Sequence, residues 1–313
     1  MANMVEGRIT DDPIAKLSRS GEFNRPDSTF RGQILKSEVT SGRYHLYVSY
    51  ACPWAHRTLI TRNLKKLEKV ISVSVSDAYM GEKGWTFSDP KDPRYLAVLY
   101  VSSSKSYTGK ISVPVLWDSK TKTILNNESS EIIRILNSSF SELEASSIDL
   151  YPEELRARID EINAKVYDSV NNGVYKTGFA ASQSAYEMSF DSLFKALSDL
   201  EEDLSKNQFL AGEFFTEADI RLFTTLVRFD PVYYGHFKCN FKRIEDYPHL
   251  QNYLKSIYQI PEIKSTCHFD HIKEHYYQSH KWINPTGIVP KGPLLDLDSA
   301  HDRGPVKFKM MAH

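Results

Sequence analysis

Strand-forming patterns occur only in the first half of the chain, and the rest shows helical periodicity alone. Between residues 43 and 125, alternating aromatic and β-branched segments are interleaved with helical ones. Beyond Leu150, apolar residues recur only at three- and four-residue spacing. The pattern predicts an α/β domain followed by an all-α domain, and 313 residues with a hydrophobic content of 41% are enough for both cores.

The α/β part follows the order strand, helix, strand, loop, hairpin, helix, which is typical of a thioredoxin-like domain. Residues 78–110 contain several Gly and Pro, so we expect an inserted loop with room for one helical turn. We assign residues 1–42 to an extension and residues 43–140 to the thioredoxin-like domain. The predicted elements are strands at 43–50, 70–75, 112–117 and 123–125, and helices at 53–67 and 128–136.

The second half is predicted to be an all-helical domain over residues 150–278. Thr216 and Asp219 form a capping-box pattern, which is typical of a helix start. Prolines and glycines after Tyr277 predict an irregular tail over residues 279–313. The predicted helices span 152–171, 183–205, 217–229, 247–258 and 268–277.

Charge and cysteine content exclude several classes of function. The 39 basic and 40 acidic residues leave a net charge of −1, so no overall field favours nucleic acid or an anionic membrane. The three cysteines, Cys52, Cys239 and Cys267, are too few and too far apart for a disulfide framework. No apolar run approaches the ~18 residues of a membrane span, and the first residues lack an apolar signal segment. We therefore expect a cytoplasmic protein.

Cys52 lies between a predicted strand and a predicted helix, in the run Tyr-Ala-Cys-Pro-Trp-Ala-His-Arg. Helix dipole and first-turn N–H groups stabilise a thiolate at that position, and His56 and Arg57 add donors or positive charge. Ala55 stands where a second cysteine would form an internal disulfide relay, so the resolving thiol must come from outside. The sequence predicts a nucleophile, and the alternative is a buried structural cysteine.

Two further segments carry possible ligand contacts. Pro114 lies inside a predicted central strand, where a cis bond would turn the Val113 backbone groups toward a peptide-like ligand; the alternative is an edge-strand proline. Glu128 and Ser129 open a helix, where N–H groups bind a carboxylate and Glu128 an ammonium. The γ-glutamyl end of glutathione carries both a carboxylate and an ammonium, so it fits such a site. The alternative is N-capping by Ser129.

These three sites resemble the glutathione site of cysteine-type glutathione transferases of the omega and related classes. Longer strings resemble the glutathionyl-hydroquinone reductases, also called Xi-class glutathione transferases, and the resemblance extends from about residue 43 to residue 293. It implies a glutathione transferase fold, a homodimer, glutathione as co-substrate, and glutathionylated aromatic small molecules as substrates. The strings are Gly84-Trp-Thr-Phe87, 126–133, 171–179, 222–240 and 283–293.

The resemblance also implies a role for individual residues. Cys52 matches the catalytic cysteine, and its thiolate would take glutathione from a glutathionyl-hydroquinone as a mixed disulfide. Tyr175 and Tyr276 match the tyrosines of the hydroquinone pocket, with Tyr277 as the alternative to Tyr276. Arg94 is a candidate for a further glutathione contact. The remaining predicted glutathione contacts are Trp85, Val113, Pro114, Glu128 and Ser129.

Other functions remain open at the level of sequence. An omega-like thioltransferase or dehydroascorbate reductase would use the same Cys52 chemistry on a different electrophile. A non-catalytic scaffold with the same fold would not need the cysteine. Cys267, His271 and His275 recur every four residues and would share a helix face, but a zinc site needs a fourth ligand and supporting contacts, so we predict no metal.

Overall fold

A computed structural model describes residues 3–10, 20–25, 27–143 and 146–311. Parts of the predicted extension (1–2, 11–19 and 26), residues 144–145 and the end of the predicted tail (312–313) lie outside the described residues. The chain divides into two compact units. The first unit contains the described residues of 1–15, 25–146 and 266–289, and the second those of 16–24, 147–265 and 290–313.

A four-stranded mixed sheet forms the centre of the first unit, in the order β4-β3-β6-β7. β3 pairs in parallel with β4 and antiparallel with β6, and β7 pairs antiparallel with β6. Alternating apolar residues build this sheet because one residue in two faces the core, and Leu46 and Val48 are fully buried. The strands are β3 (Tyr44–Val48), β4 (Ser72–Val75), β6 (Val115–Asp118) and β7 (Thr123–Asn126).

Two helices belong to the thioredoxin-like order of this unit. α1 (Pro53–Leu64) connects β3 to β4, and α3 (Ser129–Ser138) follows the β6–β7 hairpin. A smaller sheet has the order β2-β1-β5, with strands β1 (Asn3–Val5), β2 (Arg8–Thr10) and β5 (Gly109–Lys110).

Residues 78–110 contain more regular structure than the sequence predicts. α2 (Ala97–Ser103) is seven residues long, and it buries Leu99 and Tyr100. Its apolar run Leu-Ala-Val-Leu-Tyr-Val has neither helical nor strand alternation, so the sequence pattern does not predict this helix.

The described residues of the second unit are mainly helical, with one short strand pair, β8 (Ile148–Asp149) with β9 (Lys309–Met310). The predicted helix 152–171 is one 3₁₀ turn, α4 and a π-helical turn at Tyr167–Asn171. Every residue of α7 is buried. The helices are α4 (Arg156–Val166), α5 (Gly173–Gly178), α6 (Gln183–Lys206), α7 (Glu217–Arg228), α8 (Tyr234–His236), α9 (Pro248–Tyr258) and α10 (Pro261–Lys264).

The last helix, α11 (Phe269–Ser279), differs from the predicted domain division, because residues 266–289 group with the first unit. The physical reason is contact: His271 Nε2 lies 3.3 Å from Ser49 Oγ, and the His268 ring stacks on Tyr50 at 3.6 Å. Within the described residues, no helix has both the length and the apolarity to cross a membrane.

Candidate functional site

Cys52 occupies the N-cap of α1, directly after the turn that follows β3. Pro53 takes the first helical position, where a missing N–H costs no hydrogen bond. The half-buried thiol does not cap the helix; its Sγ–H donates to the Val113 carbonyl oxygen at 3.5 Å. The positive end of the α1 dipole therefore lies beside a sulfur atom, which favours the thiolate.

The Val113–Pro114 bond is cis and directly precedes β6. β6 lies between β3 and β7, so the interpretation of Pro114 as an edge-strand proline is wrong. Val113 is buried, and its carbonyl is the group that accepts from Cys52. Two predicted site residues from distant parts of the chain are thus in direct contact.

The start of α3 corrects one sequence prediction, because Glu128 rather than Ser129 is the N-cap. Glu128 Oε1 accepts from the N–H and hydroxyl of Ser130 at 3.0 and 2.8 Å, and Oε2 accepts from Ser28 Oγ at 3.0 Å. A longer carboxylate side chain reaches the N–H two residues ahead, so it leaves Ser129 for another contact. Ser129 Oγ accepts from Arg57 Nη1 at 3.4 Å.

Two guanidinium groups flank Trp54, the second residue after Cys52. The Arg57 and Arg25 guanidinium carbons lie 4.4 and 4.8 Å from the centre of its ring. Such cation–π contacts hold both charges in place, and the buried Arg57 also links α1 to the start of α3. The sequence analysis proposed Arg57 as a source of positive charge but did not identify Arg25.

Lys110 is a site residue that the sequence analysis missed. The pKa of Lys110 falls from its ordinary value of 10.5 to about 7, because burial and then the Arg25 charge lower it more than Cys52 raises it. The last effect is mutual, because a thiolate and an ammonium each favour the charged form of the other. Lys110 lies three residues before Val113, whose carbonyl contacts Cys52, but the sequence spacing alone gives no reason to connect it with the thiol.

Trp85 is held by a residue of α11. Its ring stacks on His275 with centroids 4.8 Å apart, and the His275 Nδ1–H donates to the Ala78 carbonyl oxygen at 2.9 Å. A carbonyl only accepts, so Nδ1 carries the proton. Tyr276 is 2% exposed and packs edge-on against His275 at 5.3 Å, whereas the neighbouring Tyr277 is half-buried. Burial raises the pKa of Tyr277.

The residues considered for zinc have other contacts. α11 begins at Phe269, so Cys267 lies before the helix and does not share a face with the histidines. Cys267 Sγ is instead 3.9 Å from Nε2 of the buried His56, which also bonds Thr266 Oγ1 at 2.8 Å. No group of three potential ligands for a metal ion occurs among the described residues.

Tyr175 lies on α5 in the second unit, next to aromatic rings from other segments of that unit. It is buried, and its ring lies 5.3 Å from Phe237, 5.7 Å from Phe179 and 6.0 Å from Tyr233. Cys239 is buried in the same unit, and burial raises the pKa of its thiol. A buried thiol with a raised pKa is a poor nucleophile, which distinguishes Cys239 from Cys52.

Taken together, the first unit places a half-buried thiol at a helix start, beside the Val113 backbone and a set of cations. Such a site can form a thiolate and can bind a peptide-like anion through backbone groups and charged side chains. Trp85 and Tyr276 are connected through His275 on α11.

Family models match both parts of the chain. Residues 51–139 match the N-terminal domain of glutathione S-transferases, and residues 183–256 match their C-terminal domain. These matches confirm the predicted order of a thioredoxin-like domain followed by a helical one.

Several known proteins resemble the whole chain. The glutathionyl-hydroquinone reductase YqjG of Escherichia coli K12 is 49% identical over 97% of this chain and 98% of its own. Its glutathione-bound structure superposes with a TM-score of 0.83 at 53% identity, covering 85% of this chain and 89% of that one. The glutathionyl-hydroquinone reductase PcpF of Sphingobium chlorophenolicum is 50% identical over 95% of this chain and 98% of its own.

A Xi-class glutathione transferase from Natrialba magadii has a TM-score of 0.91 at 43% identity, covering 97% of both chains. Similarity of this extent is far beyond a shared fold. The chain belongs to the glutathione S-transferase family, in the group formed by the glutathionyl-hydroquinone reductases and the Xi-class transferases.

Proposed function

We propose that this chain is a glutathione-dependent reductase that removes glutathione from glutathionyl-hydroquinones. The observation that carries the proposal is the near-full-length similarity, at 49% and 50% identity, to two proteins named for this reaction. The position of Cys52 at the start of α1 supports the chemistry, because the reaction requires a thiolate nucleophile.

In the first step, the Cys52 thiolate attacks the glutathione sulfur of the substrate. The new S–S bond forms as the bond from sulfur to the aromatic carbon breaks, and the ring carbon takes the electron pair and then a proton. The thiolate is oxidised to a mixed disulfide, and the aromatic thioether is reduced to the hydroquinone. The aromatic carbon is a poor leaving group, so proton donation to the ring is the demanding part of the step.

In the second step, the thiolate of a free glutathione attacks the mixed disulfide. Oxidised glutathione leaves and the Cys52 thiolate is regenerated. An external thiol is necessary because Ala55 stands where a resolving cysteine would lie in an internal relay.

The proposal includes the predicted glutathione contacts. Val113 and Pro114 would pair with the cysteinyl backbone of glutathione, Trp85 would lie along it, and Ser129 and the Glu128 carboxylate would bind its γ-glutamyl end. The Glu128 carboxylate supports that role, because two oxygens fixed by Ser28 and Ser130 are oriented before a ligand arrives.

The tyrosines are proposed to act on the hydroquinone. A phenol at Tyr175, and one at Tyr276 or Tyr277, would hydrogen-bond the ring hydroxyls and assist protonation of the ring carbon. A phenol suits this task better than a carboxylate, since it stays protonated at neutral pH.

We further propose a homodimer and a cytoplasmic location. The family resemblance supports the dimer, and the requirement for reduced glutathione supports a reducing compartment. Light scattering of the purified protein would give a mass of twice the chain if the dimer proposal is correct.

Turnover of a glutathionyl-hydroquinone tests the proposed function. We expect one hydroquinone and one oxidised glutathione for each glutathione consumed. Reduction of mixed disulfides or of dehydroascorbate without hydroquinone release would favour an omega-like thioltransferase instead. Failure of all these reactions in a folded, glutathione-binding protein would favour a non-catalytic scaffold.

A further inference from the structure

Four polar side chains of the first unit are linked in a row by hydrogen bonds, and the proposed function does not use them. The parallel pairing of β3 with β4 places His45 opposite Ser72. His45 Nδ1 lies 2.6 Å from Ser72 Oγ, and His45 Nε2 lies 2.9 Å from Ser74 Oγ. The Ser74 hydroxyl in turn donates to Asp92 Oδ1 at 2.5 Å. These four side chains form the His45 chain.

The carboxylate at the end of the His45 chain fixes the direction of every hydrogen bond in it. A carboxylate only accepts, so the Ser74 hydroxyl gives its proton to Asp92 and accepts from His45 Nε2–H. A neutral imidazole carries one N–H, so Nδ1 keeps a lone pair. The Ser72 hydroxyl therefore donates to a basic nitrogen, which is the arrangement that activates a serine nucleophile.

The surroundings of His45 favour the neutral imidazole. The pKa of His45 lies below its ordinary value of 6.5, because burial, together with the charges of Lys91 and Arg62, lowers it more than Asp92 raises it. The neighbouring Tyr47 ring, with its centroid 4.5 Å from that of His45, adds no charge at neutral pH, because burial raises the pKa of Tyr47 to about 12. Nδ1 is thus unprotonated at neutral pH, as a general base must be.

Ser72 is accessible, whereas the imidazole is held in place. β4 is an edge strand of the four-stranded sheet, and its first residue, Ser72, is exposed. His45 is half-buried, with its ring beside Tyr47 and both nitrogens in hydrogen bonds. The Asp92 N–H donates to the Asp89 carbonyl at 3.0 Å, which orders the segment that carries the carboxylate. A reagent can therefore approach Ser72 Oγ from solvent while the base stays oriented.

We propose that Ser72 is a second nucleophile of this protein, which accepts acyl groups from activated esters with His45 as its general base. Ser74 and Asp92 are positioning residues, because they fix the tautomer of the imidazole. The site shares no residue with the proposed reductase site, so it does not depend on the proposed function.

The reaction has two steps. Ser72 Oγ attacks the ester carbonyl carbon as His45 Nδ1 takes the hydroxyl proton; the new C–O bond forms, and the bond to the leaving oxygen breaks. The leaving oxygen takes the electron pair, and the proton on His45 passes to it or to water. Water then attacks the acyl carbon through the same base, which releases a carboxylic acid and returns the proton to Ser72 Oγ. The serine oxygen is a poorer leaving group than a nitrophenolate, so the second step is slower for an activated ester.

Reaction with 4-nitrophenyl acetate in the absence of glutathione tests this proposal. The full-length Cys52→Ser/Cys267→Ser variant is used, because accessible thiols would also be acetylated. We expect a burst of one nitrophenolate per chain and one acetyl group on Ser72, located by mass spectrometry of the peptides. The burst rate should be constant above about pH 7 and fall at lower pH, where His45 gains a proton.

Substitutions in the His45 chain separate its roles. Ser72→Ala should abolish the burst, and His45→Gln should slow it by about a hundredfold or more, because the general base is lost. Asp92→Asn removes the negative charge that raises the pKa of His45, so the midpoint of the pH profile should move to lower pH. The matched control is Ser102→Ala, which should leave the burst unchanged. Ser102 is also exposed, but its hydroxyl donates to the Val98 carbonyl and not to a base.

Several results would overturn the proposal. These are absence of an acetyl group on Ser72, acetylation of Ser102 as fast as that of Ser72, and an unchanged burst in folded His45→Gln. If near-UV circular dichroism shows that His45→Gln does not fold, Asp92→Asn decides, and an unmoved pH midpoint would contradict the role of His45. In the chain that retains its cysteines, Ser72→Ala should leave turnover of a glutathionyl-hydroquinone unaltered, which keeps this test separate from that of the reductase.

Discussion

Helices α1 and α7 begin in opposite ways. At the start of α7, the buried Asp219 carboxylate accepts from the Thr216 N–H at 2.8 Å and the Thr216 hydroxyl at 3.1 Å, which confirms the capping prediction. It also accepts from the Leu210 N–H at 3.0 Å and the Tyr253 hydroxyl at 2.8 Å. At the start of α1, the Cys52 side chain makes no cap and donates to Val113 instead.

The difference distinguishes a helix start that stabilises the fold from one that can support a reactive thiolate. The Asp219 carboxylate already accepts four hydrogen bonds from protein groups, which is all that its two oxygens can accept. The start of α7 is therefore closed to ligands. At the start of α1, the positive end of the helix dipole can stabilise the Cys52 thiolate and attract an anionic group of its reaction partner. A cysteine is a poor cap, and this loss of helix stability is consistent with selection for reactivity at that position.

Cys52→Ser tests the chemical side of the comparison and should have the largest effect on activity. We expect turnover of glutathionyl-hydroquinone to fall by at least about a thousandfold, because a serine hydroxyl is not ionised at neutral pH. Stability should change little, since the side chain contributes no cap. Steady-state kinetics and urea unfolding measure the two effects. Cys267→Ser is the matched control, and loss of turnover there would show that the wrong thiol was assigned.

Asp219→Ala tests the structural side. Four donors lose their acceptor in a buried site, so we expect the free energy of unfolding to fall by about 3–5 kcal/mol. Urea denaturation measures it, and activity per folded molecule should persist. Asp199→Ala is the control, because Asp199 is exposed and pairs with Lys195 at the surface of α6; its free energy of unfolding should stay within about 0.5 kcal/mol of the unaltered protein's. Equal losses of the free energy of unfolding in both variants would contradict the structural role assigned to Asp219.

Glu128→Gln sharpens the comparison at the start of α3, where the capping side chain is also the proposed contact of the glutathione ammonium. The amide oxygen can still accept from the Ser130 N–H, so the cap should survive, but the negative charge that would bind the glutathione ammonium is lost. We expect the KM for glutathione to rise about tenfold with kcat nearly unchanged. An unchanged KM would restrict Glu128 to capping, and Glu128→Ala, which removes the cap as well, should additionally lose about 1 kcal/mol of stability.

Lys110→Met should have the smallest effect. Removing a positive charge disfavours the thiolate, so the pKa of Cys52 should rise by about one unit or less. The rate of alkylation by iodoacetamide as a function of pH measures this shift. Lys110→Arg keeps the charge and should leave the profile in place. A profile unmoved by Lys110→Met would show that Lys110 does not influence the thiol.

Lys110 also predicts a pH dependence of stability. Its folded-state pKa of about 7 lies below its ordinary 10.5, so between these values the unfolded chain binds a proton that the folded chain does not. The free energy of unfolding therefore gains a positive slope with pH in this window. The destabilisation of the fold by Lys110 is complete below about pH 7 and disappears as the pH reaches the ordinary pKa of lysine. Lys110→Met should remove this part of the slope.

Local sequence patterns predicted the parts of the molecule that local interactions determine. Pro53 marks the start of α1, and the alternation around Leu46 marks β3, because a helix start and a strand each depend on neighbouring residues. The Thr216–Asp219 pattern likewise lies within one helical turn. The capping role of Glu128 was assigned to Ser129 because serine is a favoured N-cap residue, and only the folded geometry shows that Glu128 takes this position.

Contacts between distant segments could not be predicted in this way. His275 and Trp85 stack although they lie far apart in sequence, and nothing in the periodicity of α11 indicates that it packs on the first unit. Lys110 is half-buried near the thiol because of how β5 and the segment before β6 fold, and not because of any motif. The unpredicted part of the site is therefore the part built from tertiary contacts.

Mass spectrometry of the protein after exposure to a glutathionyl-hydroquinone, with no free glutathione present, tests the central claim most directly. We expect one glutathionyl group on the peptide that contains Cys52, one hydroquinone released per chain, and removal of the adduct when glutathione is added. Cys239 and Cys267 should remain unmodified. Release of hydroquinone without an adduct at Cys52, or an adduct at Cys267 instead, would contradict the account.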